Sequence, residues 1–252
     1  MLGTTSQVQP TMTAAKVHSF IDLRAFAANA QFSDQSDGPV AAAWCPISRN
    51  VPLPEGPVSV LASRIAPEGS HDGLAADEFV IVLEGALTLT QPAGSLALPC
   101  NGSAVIPAGQ PFAWQAAPET TVIIMRCTSG PAGAEAIVRI DEDAQLVPSG
   151  PPLAELLVGP TPSCRNFTDY RSASGEFVCG TWDSTPYHRL PMLYRHHELM
   201  HLLEGDVTFV DGEGRKQTFS EGDVFLVEMG AQCSWESRTH VKKVYAIYRP
   251  VA

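Results

Sequence analysis

The sequence is poor in positive charge. It has 16 Lys and Arg against 27 Asp and Glu, for a formal net charge of -11. A surface that tracks nucleic-acid phosphates needs clustered cations. Here they are few and scattered, so nucleic acid is not an expected partner; acidity of this order keeps a chain soluble. No apolar run reaches the ~18–20 residues that a membrane span requires, so no membrane partner is expected either. Residues 1–16 have neither the basic start nor the apolar stretch of a secretory signal, and a cytoplasmic location is the expectation. Six cysteines stand at 45, 100, 127, 164, 179 and 233, but none forms a Cys-x-x-Cys pair or a zinc-like Cys/His cluster. A chain of this size does not depend on disulfides. Reduced, mostly buried thiols are expected.

What the chain does have is a segment that occurs twice. Glu78-Phe-Val-Ile-Val-Leu-Glu-Gly85 returns as Glu198-Leu-Met-His-Leu-Leu-Glu-Gly205. In both copies a Glu stands seven positions before the Gly of a Leu-Glu-Gly turn. A strand-like run follows each: Ala86-Leu-Thr-Leu-Thr90 and Asp206-Val-Thr-Phe-Val210. Further on, both copies carry a Gly and then a Trp five positions later, Gly109…Trp114 and Gly230…Trp235. Ordered landmarks at fixed spacing identify a duplicated domain. The 252 residues suit two domains of about 100–120 residues each, and 44% hydrophobic residues suffice for two cores.

Between Val58 and Thr128 the pattern is short apolar strands separated by turns such as Pro67-Glu-Gly, Asn101-Gly and Pro107-Ala-Gly. Many short, evenly spaced strands mean an all-β sandwich or barrel. The pattern resumes at Gly175 and runs to Tyr248, with a hairpin signal at Val210-Asp-Gly-Glu-Gly214. The organisation reads as a loose tail at 1–16, a first domain at 17–130, a connection at 131–163 and a second domain at 164–252. His18–Phe26 reads as either a first strand or a helical turn. Ala136–Ile140 reads as a strand within the connection.

These residues resemble the cupin superfamily. Its first motif runs His-x-His, three or four residues, Glu, six residues, Gly; its second runs Gly, five residues, Pro-x-Gly-x-x-His. The Leu-Glu-Gly turns, Pro107-Ala-Gly109 and Gly222-Asp…Glu228-Met-Gly230 fit, the last with Glu in place of Pro. The second half is similar to the branch that includes ureidoglycine aminohydrolase and the ethanolamine-utilisation cupins. It shares Gly180-Thr-Trp-Asp-Ser-Thr-Pro186, Glu198, Phe219-x-x-Gly-Asp, Trp235-Glu and Val241-Lys-Lys-Val-Tyr245. The first half matches more loosely, as a degenerate copy. The resemblance implies an all-β bicupin: two tandem RmlC-like jelly-roll barrels, each a double-stranded β-helix with a pocket at its mouth.

Many cupins bind one divalent metal through the two His and the Glu of the first motif and the His of the second. In the second half, Glu198 fits the Glu. The His-x-His positions fall on Pro191/Leu193 or Met192/Tyr194, and the last His becomes Cys233. In the first half, Glu78 fits, the pair falls on His71/Gly73 or Asp72/Leu74, and the last position is Phe112. Two donors per domain do not make a divalent site, so no cofactor is expected.

Strand alternation supplies a pocket instead. If Glu198 points into the barrel, Met200 and Leu202 follow, and if Cys233 does, Trp235 follows. The family pattern favours Lys243 over Lys242 as the inward cation, and Tyr245 shares its parity. Tyr194 occupies a lost ligand position. Glu198 and Lys243 are the candidate catalytic pair, with Tyr194, Met200, Cys233, Trp235 and Tyr245 as the binding surface. A buried Glu near a Lys has coupled protonation and can transfer protons, although such a pair also serves structure alone. Glu78, Phe112 and Trp114 would line the first pocket, where Val122 stands at the position matching Lys243. His71 reads as a solvated turn residue. Two functions stay open: an enzyme acting on a small nitrogen-containing metabolite (ureide, amine or amide), or a non-catalytic binder or scaffold. The expected partner is a small molecule. A homodimer is compatible with the fold, since pairing removes exposed edges.

Overall fold

The computed structural model describes residues 17–30 and 44–251; the tail expected at 1–16 lies outside them. The chain runs β1 (Phe20–Asp22), α1 (Leu23–Ala28), β2 (Ile47–Asn50), β3 (Val58–Arg64), β4 (Glu68–His71), β5 (Asp77–Glu84), β6 (Leu87–Gln91), β7 (Gly94–Leu98), β8 (Ser103–Ile106), β9 (Phe112–Ala116), β10 (Thr121–Cys127) and β11 (Val138–Arg139). It continues through β12 (Val147–Ser149), β13 (Cys164–Arg171), β14 (Phe177–Ser184), β15 (Tyr187–Leu193), β16 (His197–Glu204), β17 (Asp206–Val210), β18 (Lys216–Ser220), β19 (Val224–Val227), β20 (Gln232–Ser237) and β21 (Val241–Tyr248). No helix among the described residues is long and apolar enough to cross a membrane.

The duplication is visible in the sheets. One barrel joins β11-β8-β5-β10-β3-β2 to β4-β9-β6-β7; the other joins β1-β19-β16-β21-β14-β13-β12 to β15-β20-β17-β18. The central orders β8-β5-β10-β3 and β19-β16-β21-β14 are equivalent, and every pairing is antiparallel. These are the two tandem cupin barrels that the resemblance implied. Gly85 and Gly205 close the paired Leu-Glu-Gly turns at φ +80° and +79°, a left-handed conformation that L side chains resist.

The chain crosses over between barrels. β1 pairs with β19, so the first strand completes the second barrel's sheet, while β11 from the connection pairs with β8 and completes the first. β12, also from the connection, pairs with β13 of the second barrel. His18–Phe26 is both things expected of it in turn: strand β1, then helix α1. Asp22 caps that helix by accepting from the Ala25 amide at 2.9 Å.

Both faces of β5 and β16 are buried, which explains their near-continuous apolar runs. Val80 and Val82 face the first barrel's interior with Trp44, Phe112 and Trp114, while Phe79 and Ile81 face the other barrel. Met200 and Leu202 face the second barrel's interior with Phe209, Phe219 and Phe225. Leu199 joins Phe79, Ile123, Phe177 and Val244 in one apolar layer shared by the two barrels. Each fully buried side chain of this kind contributes about 1.5–3 kcal/mol. Inside that layer the Tyr170 hydroxyl donates to Asp77 Oδ2 at 2.7 Å and accepts from the Gly133 amide at 2.9 Å. All six cysteines are free thiols, and only Cys100 is exposed.

Candidate functional site

The second barrel is hollow. One compartment of about 620 Å³ opens past Asn166, Thr168, Val178, Tyr245 and Ile247. A smaller one of about 220 Å³ lies against Tyr187, Arg189, Met192, Tyr194 and Trp235. Trp182, His196, Glu198 and Lys243 line both. Period-2 alternation puts them there: Lys243 is inward on β21 with Val241 and Tyr245, and it lies across from Trp182 in the β14–β21 register.

Glu198 is the centre of this wall. Its Oε1 accepts from Lys243 Nζ at 2.7 Å and its Oε2 bonds His196 Nε2 at 3.2 Å. The Lys243 ammonium also meets Met200 Sδ at 3.2 Å and lies 4.8 and 5.0 Å from the rings of Trp182 and Trp235. Tyr187 stacks on Trp235, with ring centroids 5.5 Å apart at 10°. Burial alone would push the Glu198 carboxyl up, but Lys243 and His196 outweigh it and hold it well below the usual carboxylate range. Glu198 is therefore ionised, and an ionised carboxylate only accepts. The hydrogen of that contact is therefore carried by His196 Nε2.

The residues expected at this site come together unequally. Glu198, Lys243, Tyr194, Trp235 and Tyr245 line the cavity. Tyr245 Oη lies 3.2 Å from Thr168 Oγ1. Met200 is fully buried behind Lys243. Cys233 is fully buried in the barrel core, and burial pushes its thiol up to about 12. Sequence reasoning left His196 and Arg189 out of the candidate pocket. Alternation sets His196 on the same face as Glu198, but it was not carried into the pocket that it lines. Arg189 precedes a β-bulge at Leu190-Pro191, where the β15–β20 register shifts between Arg189 and Met192. Nothing local in the sequence announces that bulge.

The first barrel is built differently. Trp44 fills it, edge-on to Phe112 at 5.5 Å and to Trp114 at 6.1 Å. Phe112 and Trp114 are core residues, with the indole of Trp114 donating to the Ala66 carbonyl at 2.9 Å. Glu78 is buried and ion-paired with Arg126, directly across from it in the β5–β10 register. Val122, at the place matching Lys243, is core. The first copy thus takes its cation four residues further along the strand, and alternation from Val122 reaches Arg126. His71 differs from the solvated residue expected: it ends β4, half-buried, stacked on Phe112 at 6.0 Å and 15°. Its Nδ1 accepts from the Gly73 amide at 2.9 Å, which turns the ring inward.

The family's divalent metal can be tested against these residues. Of the four ligand positions in the second barrel, Met192 and Tyr194 face the cavity without imidazole, and Cys233 holds its proton. The Glu198 carboxylate already has an ammonium 2.7 Å away, where a metal would compete with it. Among the described residues, no group of three or more His, Cys, Asp and Glu is arranged to hold a metal ion. The residues present do not fit the metal.

A jelly-roll pair with one filled and one hollow barrel, and a Glu–Lys–His wall in the hollow one, defines a bicupin. Residues 171–245 match the family model described as an EutQ-like cupin domain, the half in which the ethanolamine-utilisation resemblance was read. A protein of unknown function from Pseudomonas syringae pv. tomato, of the DUF861 family, is 30% identical over 88% of this chain and 96% of that one, with a TM-score of 0.79. The chain belongs to the DUF861 family of the cupin superfamily. YlbA from E. coli, also DUF861, is 11% identical over 96% of both chains (TM-score 0.56). Streptomyces albus HEPD, bound to 2-hydroxyethylphosphonate and Fe(II), is 10% identical over 92% of this chain and 76% of its own (TM-score 0.54). These two share the fold alone. No curated protein matches the chain.

Proposed function

We propose that the second barrel is the working one, an enzyme site for a small polar nitrogen-containing metabolite such as a ureide, amine or amide. The observation that carries this reading is the wall shared by both compartments: His196, Glu198 and Lys243 in one hydrogen-bonded line. A general base is most effective when its pKa lies near the working pH. Glu198 is clamped far below the working range, so it positions rather than abstracts. His196 is the proton carrier, its tautomer set by Glu198. Lys243 anchors the carboxylate and stiffens the wall through two indole faces. Tyr245 and Thr168 offer hydroxyls to the polar end of a ligand in the larger compartment. The filled first barrel supports the second through their common apolar layer. No step requires a metal.

The test is turnover of a ureide, amine and amide panel by wild type, His196→Asn and Glu198→Gln. The expected result is turnover in wild type, reduced about 10²–10⁴-fold in His196→Asn with ligand affinity retained. Turnover that survives His196→Asn would remove the role given to His196. No turnover of any member, with ligand binding intact, would favour the second reading, a non-catalytic binding barrel. The donor set, too poor for a metal in either barrel, is what keeps that reading open.

A further inference from the structure

Arg189 is only 4% exposed, yet no carboxylate among the described residues pairs with it. Its Nη1 donates to the Leu190 carbonyl at 3.3 Å, its Nη2 donates to the Tyr194 hydroxyl at 3.1 Å, and its guanidinium lies 5.5 Å from the Tyr194 ring. A guanidinium has five N–H donors; two are engaged, and three are left. Burying a cation without a counter-charge is expensive. Here the fold does more than tolerate it. The Leu190-Pro191 bulge and the stacked Tyr194 ring hold the guanidinium in the wall of the 220 Å³ compartment.

The charges of that compartment do not balance. Its lining holds two cations, Arg189 and Lys243, and one anion, Glu198. Lys243 and Glu198 neutralise each other at 2.7 Å, so one positive charge remains, carried by the planar fork of Arg189. Planar forks bind carboxylates through two parallel hydrogen bonds, and one surplus charge matches one monoanion. The wall beyond it, Tyr187, Met192 and Trp235, suits a short carbon chain.

We infer that the small compartment is a carboxylate subsite, in which Arg189 grips the monoanionic end of the ligand and presents the rest of it to His196. This rests on the proposed location of the site, not on catalysis. A phosphate shares the anionic chemistry, but its charge at neutral pH exceeds the single charge on offer.

Titration calorimetry of the full chain tests this with acetate, glycolate, the neutral isostere acetamide, and inorganic phosphate. Wild type is expected to bind acetate and glycolate about tenfold or more tighter than acetamide. Arg189→Gln is expected to erase that preference and Arg189→Lys to keep part of it. Equal binding of acetate and acetamide, an undiminished preference in Arg189→Gln, or phosphate binding tighter than the carboxylates would each overturn the assignment. Should Arg189→Gln fail to fold, nitrogen-15 NMR of wild-type arginine side chains decides. One guanidinium must shift saturably with acetate and not with acetamide, and its absence counts against the subsite. Acetate binding is read here without any turnover. The subsite can thus stand where catalysis fails, and fall where catalysis holds.

Discussion

Replacing Lys243 by Met removes the ammonium while keeping the bulk of the side chain. Glu198 is 7% exposed, and its remaining partner is His196 at 3.2 Å. Breaking a buried ion pair from one side costs about 3–5 kcal/mol. In a chain of this length that lowers Tm by roughly 6–20 °C. In wild type, Glu198 titrates below its unfolded value, so the pair's contribution is complete above about pH 4.3 and is lost as pH falls through the folded value. In the variant burial dominates, and the carboxyl titrates above its unfolded value. The penalty then grows as pH rises and vanishes once the group is protonated. Thermal unfolding followed by circular dichroism from pH 4 to 8 is the assay. The gap between wild type and Lys243→Met is expected to be widest near pH 7 and to narrow toward pH 4. The double variant Glu198→Gln/Lys243→Met is expected to recover much of the loss, since it strands no charge. A pH-independent gap, or a double variant no better than the single one, would refute the reasoning.

Four further outcomes are expected. Arg126→Met strands Glu78 in the first barrel, but Arg126 is 30% exposed, so solvent already weakens that pair and the Tm loss should be smaller than for Lys243→Met. Burial holds His197 and His201 down near 4; the unfolded chain therefore takes up protons first, and stability falls from about pH 6.5 toward 4, by roughly 2 kcal/mol per group at pH 5. His201→Leu should flatten its share of that loss in Tm scans at pH 7 and 5. Gly205→Ala puts a Cβ against the His240 carbonyl at φ +79°, and urea titration should show a loss of about 1–3 kcal/mol. Tyr170→Phe leaves Asp77 Oδ2 and the Gly133 amide without the hydroxyl that joins them, and the same titration should show a loss of about 1–3 kcal/mol.

The barrels were legible because their landmarks are local. Gly85 and Gly205 must tolerate left-handed backbone, alternation along β16 assigned Met200 to the interior, and on β21 the family pattern chose Lys243 over Lys242, with Tyr245 following by parity. What was hidden depends on distant partners. β1 pairs with β19 some 200 residues away, and three residues of strand carry no record of which barrel they complete. Arg126 was missed because its place was sought by copying the spacing of Lys243, whereas the first copy draws its cation from directly across the ladder. His196 shares the face of Glu198 by alternation, but it stands just outside β16, and only its contact with Glu198 shows its part in the wall. Arg189 depends on a bulge that Pro191 permits but does not announce.

The central claim is that a side-chain ammonium, not a metal, completes the Glu198 site. Elemental analysis by ICP-MS tests it on protein purified without chelator or metal-affinity resin, wild type beside Glu198→Ala. The account predicts no stoichiometric divalent metal in either. About one equivalent of Mn, Fe, Ni or Zn in wild type, lost in Glu198→Ala, would contradict it.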